Sequence, residues 1–159
     1  VIAAASDNDK LEFAKSVGAD ELINYTDTSL NDAVKVITDG AGADVVYDPV
    51  GGELAQQALR ATAWHGRYLV IGFASGEIPK FPANLPLLKE ASIVGVWWGT
   101  WSAKNPREQM KNIQEMAAMI ADGRLTPKVT AEYPLDKFKE AFRSISERKV
   151  MGKIVFTLT

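Results

Sequence analysis

An α/β fold built on a doubly wound parallel sheet is predicted by three features of the 159-residue sequence. Short apolar runs rich in β-branched residues alternate with segments whose apolar residues recur at helical spacing. One such run, Asp44-Val45-Val46-Tyr47-Asp48, enters the corner Pro49-Val50-Gly51-Gly52, as a buried parallel strand does where it delivers its carboxyl end to a ligand crevice. A second, Arg67-Tyr68-Leu69-Val70-Ile71, opens into Gly72-Phe73-Ala74-Ser75-Gly76, and a helical segment over residues 53–63 joins the two into a βαβ unit.

In chain order, Val1-Ile2-Ala3-Ala4-Ala5 reads as a buried strand ending at Ser6. Ser6-Asp7-Asn8-Asp9 has the Ser-x-x-Asp spacing that caps the free amides of a helix, with Ser6 as the cap. That helix runs to Val17, and Gly18 is its left-handed stop. Leu22-Ile23-Asn24-Tyr25 is a short strand, residues 26–29 are turn and cap, and Leu30, Ala33, Val34 and Ile37 form the apolar stripe of a helix ending at Gly40. After the strand over 44–48, the helix over 53–63 carries Leu54, Ala58, Leu59 and Ala61 and leads through a His65-Gly66 turn into the strand over 67–71. Residues 74–86 hold Pro79, Pro82 and Pro86 and read as a loop over the carboxyl ends, followed by one helical turn at 87–90. Ser92-Ile93-Val94-Gly95-Val96 is a further buried strand, with the indoles of Trp97, Trp98 and Trp101 beyond it. Asn105-Pro106-Arg107-Glu108 is a helix start with Asn as cap and Pro at the first position, and Met110, Ile113, Met116, Ala117 and Ile120 mark one face as far as Gly123. A strand over 129–133, a helix over 135–148 and a strand over 153–158 complete the order.

The composition, 47% apolar, suffices for a packed core, and a net charge of −2 provides no field to gather nucleic acid or an anionic membrane. The sequence has no cysteine and one histidine, His65, so a disulfide framework, a thiolate site and an imidazole cluster are excluded and no zinc site built from this chain is expected. No apolar run approaches the roughly 18 residues that span a bilayer. With no charged-then-apolar leader, the cytoplasm is the expected compartment. The sequence opens inside an apolar run without an initiator methionine and is expected to start partway through a larger protein.

In a Rossmann-type dinucleotide sheet the strand order is 3-2-1-4-5-6, which puts the first strand in the middle. No G-x-G-x-x-G lies between a strand and a helix here: Gly40-Ala41-Gly42 precedes a strand, and Val45 stands where the third glycine belongs. Residues 1–6 behave as the second strand. The sheet is therefore expected to lack its first strand and the glycine-rich turn. Each buried amide or carbonyl left without a partner would cost roughly 1–3 kcal/mol, so the chain alone is not expected to form an intact nucleotide site.

Taken in order, several short pieces resemble the carboxyl-terminal half of a medium-chain dehydrogenase/reductase, in its zinc-free NADPH:quinone oxidoreductase branch. They are Lys10-Leu11-Glu12, Ala14-Lys15, Gly18-Ala19-Asp20, Ile23-Asn24-Tyr25, Val46 to Gly52, Gly66-Arg67, Gly72 to Gly76, Tyr133-Pro134-Leu135 and Gly152-Lys153-Ile154-Val155. The resemblance implies a partial dinucleotide-binding domain over residues 1–125 and, over 126–159, a segment returning to a GroES-like substrate domain. It also implies NADPH as cofactor, a quinone or enone-type small molecule as substrate, and a homodimer through the edge strand from Ser92 to Val96.

An acidic side chain at the end of the second strand would accept from a free ribose 2′-hydroxyl and repel a 2′-phosphate; the residue here is Ser6. The resemblance assigns Lys10 and Tyr25 to the 2′-phosphate. Ser6 as a plain helix cap, Lys10 as a solvated lysine and Tyr25 as a half-buried strand residue are the alternatives, and Asp7 and Asp9 nearby oppose a phosphate. The resemblance places Val50 under the adenosine half, and Gly72, Phe73, Ala74, Ser75 and Trp97 near the nicotinamide. Asp48 reads equally as part of that turn or as a helix cap, and Trp97 and Trp98 equally as interface residues. His65 reads as a surface turn residue, so no Ser/His/Asp triad can be assembled and no catalytic side chain is assigned. The function implied is hydride transfer from NADPH to a quinone or similar electron-poor acceptor, without metal. An enoyl-thioester or alkenal reductase of the same architecture, or a nucleotide-binding protein without turnover, is the alternative.

Overall fold

In the computed structural model, which describes residues 1–158, strands and helices alternate and the chain packs as two units, Val1–Trp98 and a second beginning at Gly99. The first unit opens with β1 (Ile2–Ala5), α1 (Asn8–Ser16) and β2 (Glu21–Asn24), and the strands pair in parallel from Ile2 opposite Glu21 to Ala5 opposite Asn24. Asp7, not Ser6, caps α1. Its backbone is extended (φ −150°), and its Oδ1 accepts from the Lys10 amide at 3.0 Å, while the Ser6 hydroxyl donates to Asp7 Oδ2.

The next helix, α2 (Leu30–Ile37), is capped as expected by the Ser29 hydroxyl on the Asp32 amide. Its first free amide, Leu30 N, donates to Gln57 Oε1 at 3.0 Å from the neighbouring helix. Leu30 and Val34 are buried, with Ala33 and Ile37 against the same core.

The expected βαβ unit consists of β3 (Ala43–Asp48), α3 (Glu53–Ala61) and β4 (Thr62–Val70), and β5 (Ser92–Gly95) adds to β4 so that a parallel sheet of order β3-β4-β5 results. Strand β4 begins at Thr62, five residues before the expected Arg67. The register explains the difference: Ala43 lies opposite Thr62, but Val45 lies opposite Arg67, and the extra residues are absorbed at His65, with φ +57°. The expected His65-Gly66 turn is thus a kink within the strand, and it requires Gly66, where a Cβ would stand 2.5 Å from Thr62 Cγ2. The single helical turn is α4 (Asn84–Leu87), earlier than the expected 87–90, because Pro86 fits a first turn where an amide has no intrahelical partner.

One hydrophobic core ties the two small sheets together. It takes Ile23 from β2, Leu30 and Val34 from α2, Ala55, Ala58, Leu59 and Ala61 from α3, Tyr68 from β4 and Leu85 from α4. The burial expected for β3 and β5 is not achieved. Val45 and Tyr47 are 43% and 67% exposed, and all four residues of β5 are exposed, because among the described residues β3 and β5 each have a single strand neighbour, β4.

Helix α5 (Trp98–Lys104), not anticipated from the sequence, crosses into the second unit, followed by α6 (Pro106–Ala121). Pro106 opens α6 and Asn105 holds the cap position as expected, its carbonyl accepting from Gln109 N at 2.9 Å, but its side chain makes no cap bond: Nδ2 donates back to the Trp101 carbonyl at 2.9 Å. The chain then forms β6 (Val129–Pro134), a 3-10 turn (Leu135–Lys137), α7 (Phe138–Ser146) and β7 (Lys153–Thr157), with β6 and β7 parallel. The division expected between residues 125 and 126 falls in the connection from α6 to β6, inside the second unit.

Candidate functional site

A groove of about 560 Å³ separates β1 from β3. Ile2 and Ala4 on β1 and Val46 on β3 line its sides, and Leu30, Val34 and Ala58 of the two packed helices also line it. Among the described residues β1 pairs with β2 alone and β3 with β4 alone, so each carries a ladder edge without a strand partner. This is the arrangement expected of a doubly wound sheet without its middle strand.

At the carboxyl end of β3 the Asp48 carboxylate organises the turn into α3. Its Oδ1 accepts from the amides of Val50 at 2.8 Å and Gly51 at 3.0 Å, an Asx turn rather than a helix cap; the cap position of α3 belongs to Gly52. The other oxygen, Oδ2, accepts from the Tyr68 hydroxyl. Burial of the phenol, and then its bond to the carboxylate, push the Tyr68 pKa well above the tyrosine range, so the hydroxyl stays a donor.

This turn is sewn to the loop after β4. Ile71 N donates to Asp48 O at 3.0 Å, Ala74 N to Pro49 O at 3.0 Å and Ser75 N to Val50 O at 2.9 Å, while Gly52 N donates to Glu77 O at 3.1 Å. Gly51 (φ +70°) is required by this approach, since a Cβ there would meet Glu77 O at 2.9 Å and the Phe73 ring at 3.1 Å. Val50, Gly72, Phe73, Ala74 and Ser75, separated by more than twenty positions in sequence, therefore form one platform.

A second group forms where β1 and β2 end. Tyr25 N donates to Ala5 O at 3.1 Å, and the Thr26 hydroxyl reaches Ser6 O, which brings Ser6 and Tyr25 together. Lys10 stands in the first turn of α1, and its Nζ lies 2.7 Å from Asp7 Oδ2. The hydrogen bond from Lys10 holds the Asp7 carboxyl below its usual range. Tyr25 and Val50 both line the groove; Ser6, Lys10, the 72–75 loop and Trp97 do not. Trp97 follows β5 and is 78% exposed, and the adjacent Val96 N donates to Val70 O.

Reading the sequence missed Tyr68 altogether and left Asp48 undecided. A strand-terminal Asp followed by Pro and two glycines one residue later carries the Asx-turn signal. A tyrosine inside an apolar strand carries none.

The sequence profile of the zinc-binding dehydrogenases matches residues 1–119. The chain belongs to that family. It is 40% identical over 155 residues to a quinone oxidoreductase-like protein 2 homolog of Nematostella vectensis, covering 97% of this chain and 42% of the relative. Quinone oxidoreductase-like protein 2 of Bos taurus is 36% identical over 158 residues, covering 99% and 45%. Among solved structures, a quinone oxidoreductase of Pseudomonas syringae superposes with a TM-score of 0.86 at 27% identity, over 99% of this chain and 48% of that one. The chain thus spans about half the length of the relatives it matches and corresponds to the cofactor-binding half of a medium-chain dehydrogenase/reductase. Among the described residues no three His, Cys, Asp or Glu side chains gather that could hold a metal ion, and the 159-residue sequence has no cysteine.

Proposed function

We propose that this chain is the cofactor-binding half of a metal-free, NADPH-dependent oxidoreductase that delivers hydride to a quinone or similar electron-poor small molecule. The observation that carries this reading is the platform of Asp48–Gly52 sewn to residues 71–77 beside the open groove. It lies where doubly wound sheets hold their ligands, at strand carboxyl ends next to the middle of the sheet.

When bound, the dihydronicotinamide supplies the hydride; the protein's own work is to bind, orient and exclude water. Lys10, Ser6 and Tyr25 are suited to a ribose 2′-phosphate: a cation, a hydroxyl and a phenol at the ends of β1 and β2. Val50 borders the groove with a small side chain, and the 72–75 loop, fixed by the carbonyls of Pro49 and Val50, is suited to the nicotinamide half, with Trp97 beyond it. No side chain here need exchange a proton with the substrate. His65, exposed and 3.4 Å from Glu90, belongs to the β4 kink and not to the groove lining. A preceding strand seated between β1 and β3 would bring the glycine-rich turn for the pyrophosphate.

Two copies would join through the outer edge of β5, which among the described residues has no strand beyond it. No helix among the described residues is long and apolar enough to cross a membrane, and we place the enzyme in the cytoplasm.

The test uses the longer protein that contains this segment. Titration with NADPH and NADH, followed by loss of dihydronicotinamide absorbance with quinones and with 2-enoyl thioesters or alkenals, is expected to show NADPH binding and oxidation by quinones. Oxidation by the 2-enoyl compounds alone selects the enoyl-thioester or alkenal reductase. Binding without oxidation by any acceptor makes the protein a nucleotide-binding one, and absence of binding refutes the proposal.

A further inference from the structure

Tyr68 is wholly buried in the middle strand of the β3-β4-β5 sheet, opposite Val46 on one side and Ile93 on the other, with its ring edge-on to Phe81 at 5.1 Å between centroids. A phenylalanine would fill the same space. What the tyrosine adds is one hydroxyl, and a buried hydroxyl is unfavourable unless it is bonded. Its acceptor is the Asp48 carboxylate, two residues past Val46 along β3.

That carboxylate in turn holds the amides of Val50 and Gly51 on its other oxygen, and the carbonyls of the same turn hold Ile71, Ala74 and Ser75. A continuous line of hydrogen bonds therefore runs from the sheet interior, through one carboxylate, into both loops of the platform. Bonds that accept on a carboxylate are the stronger kind, and networks of this type set geometry as well as stability.

We propose that Tyr68 is a positioning residue for the cofactor: from the core it fixes the Asp48 carboxylate, and through that carboxylate it holds the Asp48–Gly52 turn and the 71–77 loop in the shape that receives the dinucleotide. The proposal rests on the cofactor reading above. It assigns Tyr68 no contact with cofactor or substrate, so its removal acts on binding and leaves the chemical step alone.

The experiment compares wild type, Tyr68→Phe, Asp48→Ala and the double variant in the longer protein, by NADPH titration, steady-state kinetics and amide hydrogen exchange. For Tyr68→Phe, which keeps the ring packing, the cofactor Kd and KM are expected to rise about 10- to 150-fold, the range set by losing a hydrogen bond to a charged group. At saturating cofactor kcat stays within about twofold, as expected for a binding effect without a transition-state contribution. Exchange should quicken at 48–52 and 71–77 and not in α1 or α2. Because Tyr68 acts through Asp48, the double variant is expected to bind no more weakly than Asp48→Ala alone. Wild-type cofactor affinity in Tyr68→Phe, a fall in kcat with unchanged KM, or additive losses in the double variant would each overturn the positioning role while leaving the cofactor reading intact. Failure of the wild type to bind any nicotinamide cofactor removes that reading, and the role of Tyr68 with it. Should Asp48→Ala not fold, the Tyr68→Phe kinetics and exchange decide alone.

Discussion

The Lys10 ammonium lies 2.7 Å from Asp7 Oδ2, one turn back on the same helix, so the cation suited to a 2′-phosphate already has an anionic partner within the chain. Asp7 also caps α1. On the proposed function, a preference for NADPH over NADH would depend on how readily Lys10 leaves Asp7. Asp7→Asn retains a good capping residue but removes the competing charge, and it is expected to raise NADPH affinity about threefold or more with little effect on NADH, the pair being partly exposed and easily exchanged. Lys10→Ala should do the reverse. Titrations with both cofactors at low and high salt check this; an unchanged NADPH-to-NADH ratio in both variants would show that Lys10 does not meet the phosphate.

Acid should weaken the fold in a defined direction. The carboxyls of Asp7, Asp122 and Glu147 are each held below their usual range, chiefly by hydrogen bonds from Lys10, Arg124 and Lys149. A carboxylate depressed in the folded state contributes stability above its unfolded pKa, and that contribution is lost as pH falls through the folded value. Denaturation midpoints measured from about pH 7 down to about pH 2 should stay level until the carboxylate range is reached and then drop. Because the Asp122 and Glu147 pairs are exposed and the Asp7 pair is partly so, high salt should flatten the drop. Stability that rose on acidification would contradict the assignment.

Gly51 and Gly76 both have left-handed backbones, φ +70° and +87°, yet differ in surroundings: a Cβ on Gly51 meets Glu77 O and Phe73, one on Gly76 meets open space. Gly76→Ala should cost about 1–2 kcal/mol, the left-handed penalty alone. Gly51→Ala should cost more and also weaken cofactor binding, because the turn must part from the 71–77 loop. Equal losses in the two variants, by denaturation and titration, would mean that the platform tolerates being opened.

Leu59, 1% exposed, stands in the core that joins α3 to both small sheets. Leu59→Ala is expected to destabilise by about 2–5 kcal/mol, whereas Tyr47→Ala, on a residue 67% exposed in this structure, should have a small effect here. If Tyr47→Ala proves severe in the longer protein, something outside this segment covers that face, and denaturation of both variants shows which holds.

A lysine at Val94 tests the association of copies through β5, since like charges would meet where two such edges pair. Val94→Lys is expected to convert a dimer to a monomer by light scattering. A dimer that survives the substitution unchanged uses another surface.

Periodicity and punctuation made most of the elements legible. The Leu30, Val34 stripe, the Ser29 cap, the proline start of α6 and the βαβ unit from Ala43 to Val70 are each encoded by a few neighbouring residues, so local chemistry alone specifies them. So was the open edge between β1 and β3, because doubly wound sheets share one strand order and the sequence shows no glycine-rich turn between a strand and a helix. What tertiary structure decided were matters of competition and distance. Asp7 displaced Ser6 as cap because the backbone is extended at Asp7 and its carboxylate reaches the Lys10 amide. The start of β4 moved to Thr62 because parallel pairing with Ala43 outweighed the turn signal at His65 and Gly66. The bond from Tyr68 to Asp48 joins residues twenty positions apart across two strands, and no local pattern records it. Sequence determines which segments become strands and helices through near-neighbour preferences; only the folded register decides which buried hydroxyl meets which carboxylate, because that depends on how separate segments come to lie side by side.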